Sequence, residues 1–156
     1  MGQQRSLFPM ILLFSALGQV AADIYLPSLP AIAHGLATDI TWVQMTVSVY
    51  MFGFAFSQLI YGPLSDALGR KKPLQVGLLL LLIGSVICAA APSITWVLLG
   101  RCIQGVGAGS GVVSSRAILR DIHSGADLAK FGSYLSLGGI IMMASAPLLG
   151  GFIQHM

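Results

Sequence analysis

Five long apolar stretches alternate with short polar segments along the chain. They cover about residues 7–26, 42–61, 73–91, 96–119 and 131–153. A helix of roughly 20 residues crosses the ~30 Å hydrocarbon layer of a bilayer, because it rises about 1.5 Å per residue. The pattern predicts an all-α membrane protein whose five transmembrane helices form a single transmembrane domain over residues 1–156.

The composition excludes a water-soluble globule. Hydrophobic residues make up 56% of the chain and charged residues only 8%, which is too little polar surface to cover a globular core. The bases lie in the segments between apolar stretches and not on one folded face, so we expect no nucleic-acid partner. The partner that the composition predicts is the lipid bilayer.

The sequence predicts neither a metal site nor an enzyme. Cys88 and Cys102 lie within apolar stretches and are typical of small packing residues. His34, His123 and His155 share no metal-ligand spacing. No nucleophile, base and orienting group form a recognisable pattern, so we expect no covalent chemistry.

The densest charge in the chain lies between the second and third apolar stretches, from Gly62 to Leu74. We predict a short water-facing turn over these residues. Short loops rich in Lys and Arg stay cytoplasmic, because basic residues resist translocation and favour the anionic inner leaflet. Arg70, Lys71 and Lys72 therefore predict a cytoplasmic turn and, by alternation of the spans, a cytoplasmic amino terminus in the plasma (inner) membrane.

Two further loops follow from the same alternation. The segment from Ser28 to Thr41 contains no Lys or Arg, which favours an outward-facing loop. The segment from Arg116 to Lys130 contains bases and carboxylates, which predicts a second charged loop on the inner side.

Arg101 is the one base well inside an apolar stretch. Such a residue costs about 2.5–3.5 kcal/mol on insertion scales, so it should face a partner or a water-filled cavity. Gln104 and Gly105 follow it on the same helical face, which favours a polar and closely packed interior. The alternative is an interfacial arginine that extends outward to water.

Asp23 is the only carboxylate inside an apolar stretch. Ser15 and Gln19 precede it at intervals of four residues and complete a polar stripe on the first helix. Intramembrane carboxylates usually belong to ion or substrate pathways. The alternative is a residue at the membrane interface that caps the end of its helix.

Two other features have a functional and a plain interpretation. Asp66 could pair with Arg70 or with the positive end of a helix, or it could be a solvated loop residue. Pro147, Gly150 and Gly151 could form a moving kink in the fifth helix, or a static kink with a tight helix contact.

The fourth apolar stretch carries glycines at positions 105, 107, 109 and 111. A dinucleotide-binding loop would need a third glycine where Ser110 lies, as well as a preceding soluble strand, and no phosphate-loop lysine is present. Close packing of helices through small residues explains the series better.

Taken together, these motifs resemble the major facilitator superfamily, and within it the twelve-span drug/proton antiporters of the bicyclomycin-resistance type. The resemblance covers nearly the whole chain, and its parts are the Gly62–Leu74 loop, the segment from Arg101 to Gly107, the segment from Asp23 to Pro27, and Pro147 with Gly150 and Gly151. Ala67 departs from the loop motif, where a base is frequent. Met142 and Ala146 stand where the antiporter motif usually has glycines.

The resemblance implies a fold, a function and roles for these residues. The chain would be five helices of an incomplete six-helix amino-terminal half, with the carboxyl-terminal half of the transporter missing. The function implied is proton-coupled efflux of small amphipathic drug-like molecules, driven by the proton gradient without a cofactor. Site residues fall into three groups: a proton and substrate pathway of Asp23, Arg101, Gln104 and Gln19; a gating loop of Gly62, Asp66, Gly69, Arg70 and Lys71; and an antiporter kink of Pro147, Gly150 and Gly151. A non-transporting membrane scaffold is the alternative.

Overall fold

The computed structural model describes residues 2–154, with side chains described over residues 8–152. Its elements are α1 (Gly2–Asp23), a 3-10 turn (Leu26–Ser28), α2 (Leu29–Gly35), α3 (Ile40–Leu68), α4 (Lys71–Ala89), α5 (Ile94–Ile122) and α6 (Gly125–Gln154). No strand occurs over these residues. His155, considered above as a metal ligand, lies outside them.

The prediction of an all-α membrane protein is confirmed. Within the described part of the chain, five helical segments are long and apolar enough to cross a membrane. They are Phe8–Gly35, Ile40–Leu68, Lys71–Ala89, Ile94–Ile122 and Gly125–Phe152.

The predicted turn from Gly62 to Leu74 is too long. Helix α3 continues through Pro63 to Leu68, and only two residues separate it from α4. Gly69 ends α3 with φ at +80°, a conformation that side chains with a Cβ rarely adopt. The dense charge predicted a turn over the whole segment, but the helix continues through Gly62 and Pro63 before it ends.

The predicted loop from Arg116 to Lys130 is also mostly helical. Only His123 and Ser124 separate α5 from α6. The charged residues occupy the last turns of α5 and the first turns of α6, because long charged side chains at a helix end reach water while their backbone stays helical. Charged residues indicate where the hydrocarbon layer ends, and the helix continues beyond that point.

The segment from Ser28 to Thr41, predicted as an outward-facing loop, contains helix α2. Asp39 then begins α3, and its carboxylate accepts a hydrogen bond of 2.7 Å from the backbone N–H of Thr41. This N-cap satisfies a helix donor that would otherwise be unpaired. The same bond lowers the pKa of Asp39, since it stabilises the charged form.

Helix α5 is the centre of the fold and packs against α1, α3 and α4. Its glycines face three different neighbours: Gly105 meets the backbone of Tyr50 in α3, Gly107 that of Leu81 in α4, and Gly111 that of Phe14 in α1. A Cβ at any of these glycines would overlap main-chain atoms of the next helix. The prediction of close packing through small residues is confirmed.

Helices α4 and α6 lie at the periphery of the bundle. Helix α6 packs mainly on α1, and the Cβ position of Gly150 would overlap the carbonyl of Ile24. Much of the surface of α4 is exposed and apolar, as in Leu79 and Leu82. A surface of this kind suits contact with lipid.

We predict that Gly107→Ala destabilises the helix bundle by about 1–3 kcal/mol, the usual cost of overpacking a tight contact. The added methyl group would overlap the backbone of Leu81, which cannot move without shifting α4. The measurement is the thermal unfolding midpoint of the purified chain in detergent micelles.

The matched control is Gly132→Ala in α6, where nothing lies within 4 Å of the Cβ position. This change should be neutral or raise the midpoint, because alanine favours a helix over glycine by about 0.5–1 kcal/mol. Equal effects of the two alanines would contradict the packing role of Gly107.

Candidate functional site

The side chain of Arg101 is buried at the centre of the bundle, with 2% of its surface exposed. Its guanidinium carbon lies 4.2 Å from the ring centroid of Tyr25 and 4.3 Å from that of Tyr50. A guanidinium between two aromatic rings is stabilised by cation–π attraction, which grows stronger away from water. The interfacial alternative requires a side chain that extends outward to water, and the Arg101 side chain does not do so.

A chain of hydrogen bonds joins Arg101 to α4. Nη1 of Arg101 donates to Oε1 of Gln104 at 3.0 Å and to the carbonyl of Ala21 at 3.4 Å. Gln104 in turn donates to the hydroxyl of Ser85 at 2.8 Å, and Ser85 donates to the carbonyl of Leu81. The structure therefore brings Arg101 and Gln104 together, as their spacing predicted.

The Arg101 guanidinium is not fully paired. Its Nε and Nη2 atoms are buried and have no hydrogen-bond partner among the described residues. Unpaired polar atoms in a low-dielectric interior carry a desolvation cost, so the rings and Gln104 offset only part of the cost of burial.

Each tyrosine beside Arg101 is held at its hydroxyl. Tyr25 lies 2.9 Å from the hydroxyl of Thr46, which itself donates to the carbonyl of Val43. Tyr50 donates to the carbonyl of Gly18 in α1. Neither tyrosine was predicted as a site residue. The sequence offers one weak signal for them, which is that a hydroxyl inside an apolar span needs a polar partner.

A cavity of about 420 Å³ borders Arg101 on the side of α4 and α6. Ser85, Cys88 and Gln104 form part of its wall, and Gly150 of α6 closes the opposite side. Tyr25 also lines this cavity, whereas Asp23 lines a different one.

The polar stripe of α1 lines two adjoining cavities. Asp23, Gln19 and Tyr50 border one of about 90 Å³. Gln19 and Ser15 border the next, of about 220 Å³, together with Arg116 of α5. The predicted pathway residues thus divide into two groups, since Asp23 and Gln19 face these cavities while Arg101 and Gln104 do not line them.

Asp23 and Arg101 do not form an ion pair. Among the described residues, the salt bridges join Arg70 to Asp66 and to Asp121. Tyr50 contacts the Arg101 guanidinium and also lines the Asp23 cavity, so its ring connects the two groups.

A further cavity, of about 710 Å³, lies between the carboxyl-terminal turns of α5 and the first half of α6. It shares Arg116, Leu135 and Ser136 with the cavity beside Gln19. Each of these cavities shares lining residues with the next, and we call the three together the α1–α5–α6 groove. Arg116 was predicted as a loop residue, and its place in the groove was therefore not expected.

At the end of the bundle where α3 meets α4, Arg70 connects three parts of the chain. Its Nε and Nη2 atoms bind both carboxylate oxygens of Asp121 at 2.8 and 3.2 Å, and its Nη1 donates to Asp66 and to Ser65. The carboxylates of Asp121 and, second, Asp66 raise the pKa of Arg70, so the guanidinium stays charged. A pairing of Asp66 with Arg70 was one of the alternatives left open by the sequence, whereas Asp121 was not considered as a partner.

The other residues of the predicted gating loop do not join this cluster. Nothing lies within 4 Å of a Cβ built at Gly62, Gly69 shapes the turn, and Lys71 is exposed at the start of α4. Exposed ion pairs stabilise a fold only weakly, so the Arg70 cluster fixes geometry more than it adds stability.

The predicted kink residues of α6 lie in different surroundings. Pro147 is inside the helix, Gly150 is pressed against Ile24, and Gly151 faces open space. Ala146, which replaces a glycine of the resembled motif, is fully buried. A motion of α6 stays a prediction.

The sequence profile of the Major Facilitator Superfamily matches residues 11–155. The chain belongs to this family. The resemblance drawn from the motifs is therefore confirmed, and with it the assignment of a multi-pass membrane protein of a transporter family.

Three relatives illustrate the match. The uncharacterized MFS-type transporter YdgK of Bacillus subtilis is 39% identical over 153 residues, which cover 97% of this chain and 38% of that protein. Multidrug resistance protein D of Escherichia coli is 32% identical over 158 residues, which cover 100% of this chain and 40% of that protein. The bicyclomycin resistance protein homolog of Haemophilus influenzae is 34% identical over 156 residues, which cover 98% of this chain and 39% of that protein. The chain spans about two fifths of the length of these relatives.

We predict that the ring of Tyr50, more than its hydroxyl, holds the site together. Tyr50→Phe removes only the bond to Gly18 and should cost about 1 kcal/mol of stability. Tyr50→Leu also removes the ring over the Arg101 guanidinium and should cost about 2 kcal/mol more. Thermal unfolding in micelles measures both, and similar losses for the two variants would contradict a cation–π role.

Proposed function

We propose that this chain forms helices of the amino-terminal half of a secondary transporter that exports small amphipathic drug-like molecules in exchange for protons. The observation that carries the proposal is Asp23, a carboxylate without a bonded cation among the described residues, on the wall of the α1–α5–α6 groove. The drug-resistance names of two relatives support drug-like substrates.

Asp23 has the chemistry that such an exchange needs. Its ionised form attracts a cationic substrate, and its protonated form releases that attraction. The cavity beside it is walled by Phe54, Met51 and Met143, which provide aromatic and adaptable apolar contacts. A proton and an amphipathic cation can therefore compete for the Asp23 carboxylate.

Arg101 is the fixed charge of the proposed mechanism. It is held by two tyrosine rings and Gln104, and Tyr50 extends from it to the Asp23 cavity. A change in the occupancy of that cavity therefore acts on Tyr50 and, through the ring, on the Arg101 cluster. The proton gradient supplies the energy, and no cofactor is part of the proposal.

The inner cluster and α6 have supporting roles in the proposal. Arg70 holds the end of α3 to the end of α5, while the Asp66 side chain remains 73% exposed and available to another part of the transporter. This arrangement suits a latch at the inner gate. Pro147 allows α6 to bend as the two halves of the transporter rock against each other.

The proposed setting is the plasma (inner) membrane, with the amino terminus in the cytoplasm. The partners are the bilayer, the substrate and the remaining residues of a family-length transporter. Family members bind substrate between two halves, and the groove is one wall of such a site.

A non-transporting scaffold is the second candidate. The hydrogen-bonded cluster of Arg101, Gln104 and Ser85 favours it, because Nη1 of Arg101, the Gln104 amide and the Ser85 hydroxyl find their partners within the protein. A scaffold needs no carboxylate on an open groove. Asp23 therefore separates the two functions.

The topology is tested by cysteine labelling in intact cells, with Cys88 and Cys102 replaced by alanine. Ala67→Cys near the Arg70 turn should be protected from a membrane-impermeant maleimide, while His34→Cys at the end of α2 should react. Both positions are exposed, so the membrane alone decides their reactivity. Labelling of position 67 from outside would reverse the proposed orientation.

The transport role is tested by Asp23→Asn in a family-length transporter that carries residues 1–156 at its amino terminus. The amide mimics the protonated state, so export of a cationic dye should fall about tenfold, the value of one charge-assisted contact. Transport should also lose much of its pH dependence. Uptake into inverted vesicles across a pH series measures both effects.

Asp39→Asn is the matched control, because it makes the same change outside the groove and asparagine also caps helices well. A neutral substrate should be affected less than the cationic dye. Wild-type pH dependence and unchanged cation transport in Asp23→Asn would leave the scaffold as the better description.

A further inference from the structure

The α1–α5–α6 groove carries opposite charges at two depths. Asp23 lines its outer cavity, and Arg116 lines the two cavities that follow. Ser15, which shares a cavity with Arg116, is two helical turns before Asp23 on α1, roughly 12 Å along the helix axis. The groove is therefore bipolar along its length.

Arg116 has no carboxylate to neutralise it within the described residues. The salt bridges there belong to Arg70, and Asp121 is already bound to that guanidinium. Arg116 is an exposed residue six positions before the end of α5, about 9 Å from that end by helical rise. A base at this depth needs a counter-charge or water.

The wall between the two charges is apolar with a few polar groups. Val112, Leu135 and Met143 supply the apolar contacts, while Gln19 and Ser136 offer hydrogen bonds. A flexible thioether suits varied molecular shapes. The groove thus has the form of an apolar slot with a negative end and a positive end.

We propose that the groove selects zwitterionic amphiphiles, with Asp23 binding the cationic group and Arg116 the anionic group of one molecule. Arg116 is then a specificity-determining residue. A guanidinium binds a carboxylate with two parallel hydrogen bonds, so it distinguishes an acid from its ester. This inference rests on the proposed function in taking the groove as the substrate path.

Two dyes isolate the contact with Arg116. Rhodamine 110 carries a cationic ring system and a free carboxylate, and rhodamine 123 is its methyl ester. We expect the family-length transporter that carries residues 1–156, in phosphatidylcholine nanodiscs, to bind rhodamine 110 roughly tenfold more tightly, which is the value of one charge-assisted contact. Fluorescence anisotropy titration measures both dissociation constants.

Variants assign that preference to one side chain. Arg116→Gln should abolish the preference by weakening rhodamine 110 alone, and Arg116→Lys should keep most of it. Asp23→Asn should weaken both dyes about tenfold, because both carry the cation. Lys72→Gln removes an exposed base outside the groove and should change neither constant.

The wild-type preference needs no variant, so a folding defect in Arg116→Gln would not prevent the test. Equal affinity for the two dyes, no binding of either dye, or a preference that survives Arg116→Gln would overturn the proposal. Nanodiscs hold no proton gradient, so the binding result does not depend on antiport. Failure of the vesicle experiment would reject proton coupling and leave this selectivity standing.

Discussion

Helices in a bilayer gain little from burying apolar side chains against one another, because the lipid tails are equally apolar. Their association depends on close van der Waals contact, which requires backbones to approach. Helix α5 provides that approach on three sides, with Gly105 toward α3, Gly107 toward α4 and Gly111 toward α1. The polar cluster follows from this packing, since Gly105 lies against the backbone of Tyr50 one turn beyond Arg101.

The bundle holds the charges of Arg101 and Asp23 in opposite ways. Arg101 is enclosed, with aromatic rings on both faces and Gln104 at one edge. Enclosure fixes its position, although two of its nitrogens stay unpaired. Asp23 instead lines an open groove and has no cation bound to it within the described residues. A fixed charge and an accessible charge can serve different purposes in one site.

Hydropathy and motif patterns were sufficient for the fold and for contacts along one helix. The five spans follow from the length of the apolar stretches, and the contact of Arg101 with Gln104 follows from the 3.6-residue period of one helix. The spacing of the glycines predicted that α5 packs closely, but not which helix each glycine meets. Contacts between helices depend on how each helix is rotated and how deep it lies. The tyrosines around Arg101, Asp121 beside Arg70 and Arg116 in the groove could not be predicted for that reason.

Helix ends were the other failure, and the cause is physical. Charged residues mark the edge of the hydrocarbon layer, but α5 passes Arg116 and Arg120 before it ends at Ile122. Long basic side chains reach water from inside a helix. The difference matters for the site, because a helical Arg116 has a fixed direction and depth on the groove wall.

Tyr50 lies between the enclosed charge of Arg101 and the cavity of Asp23, and contacts with α1 and α5 fix its position. Its hydroxyl is bound to Gly18 of α1, its carbonyl lies against Gly105 of α5, and its ring lies over Arg101. A tilt of α1 against α5 cannot leave all three contacts unchanged, because packed interiors switch between discrete arrangements instead of deforming smoothly. A ligand beside Asp23 that favours one arrangement therefore also selects the position of the ring over Arg101, which is the physical requirement for coupling two sites without an ion pair between them.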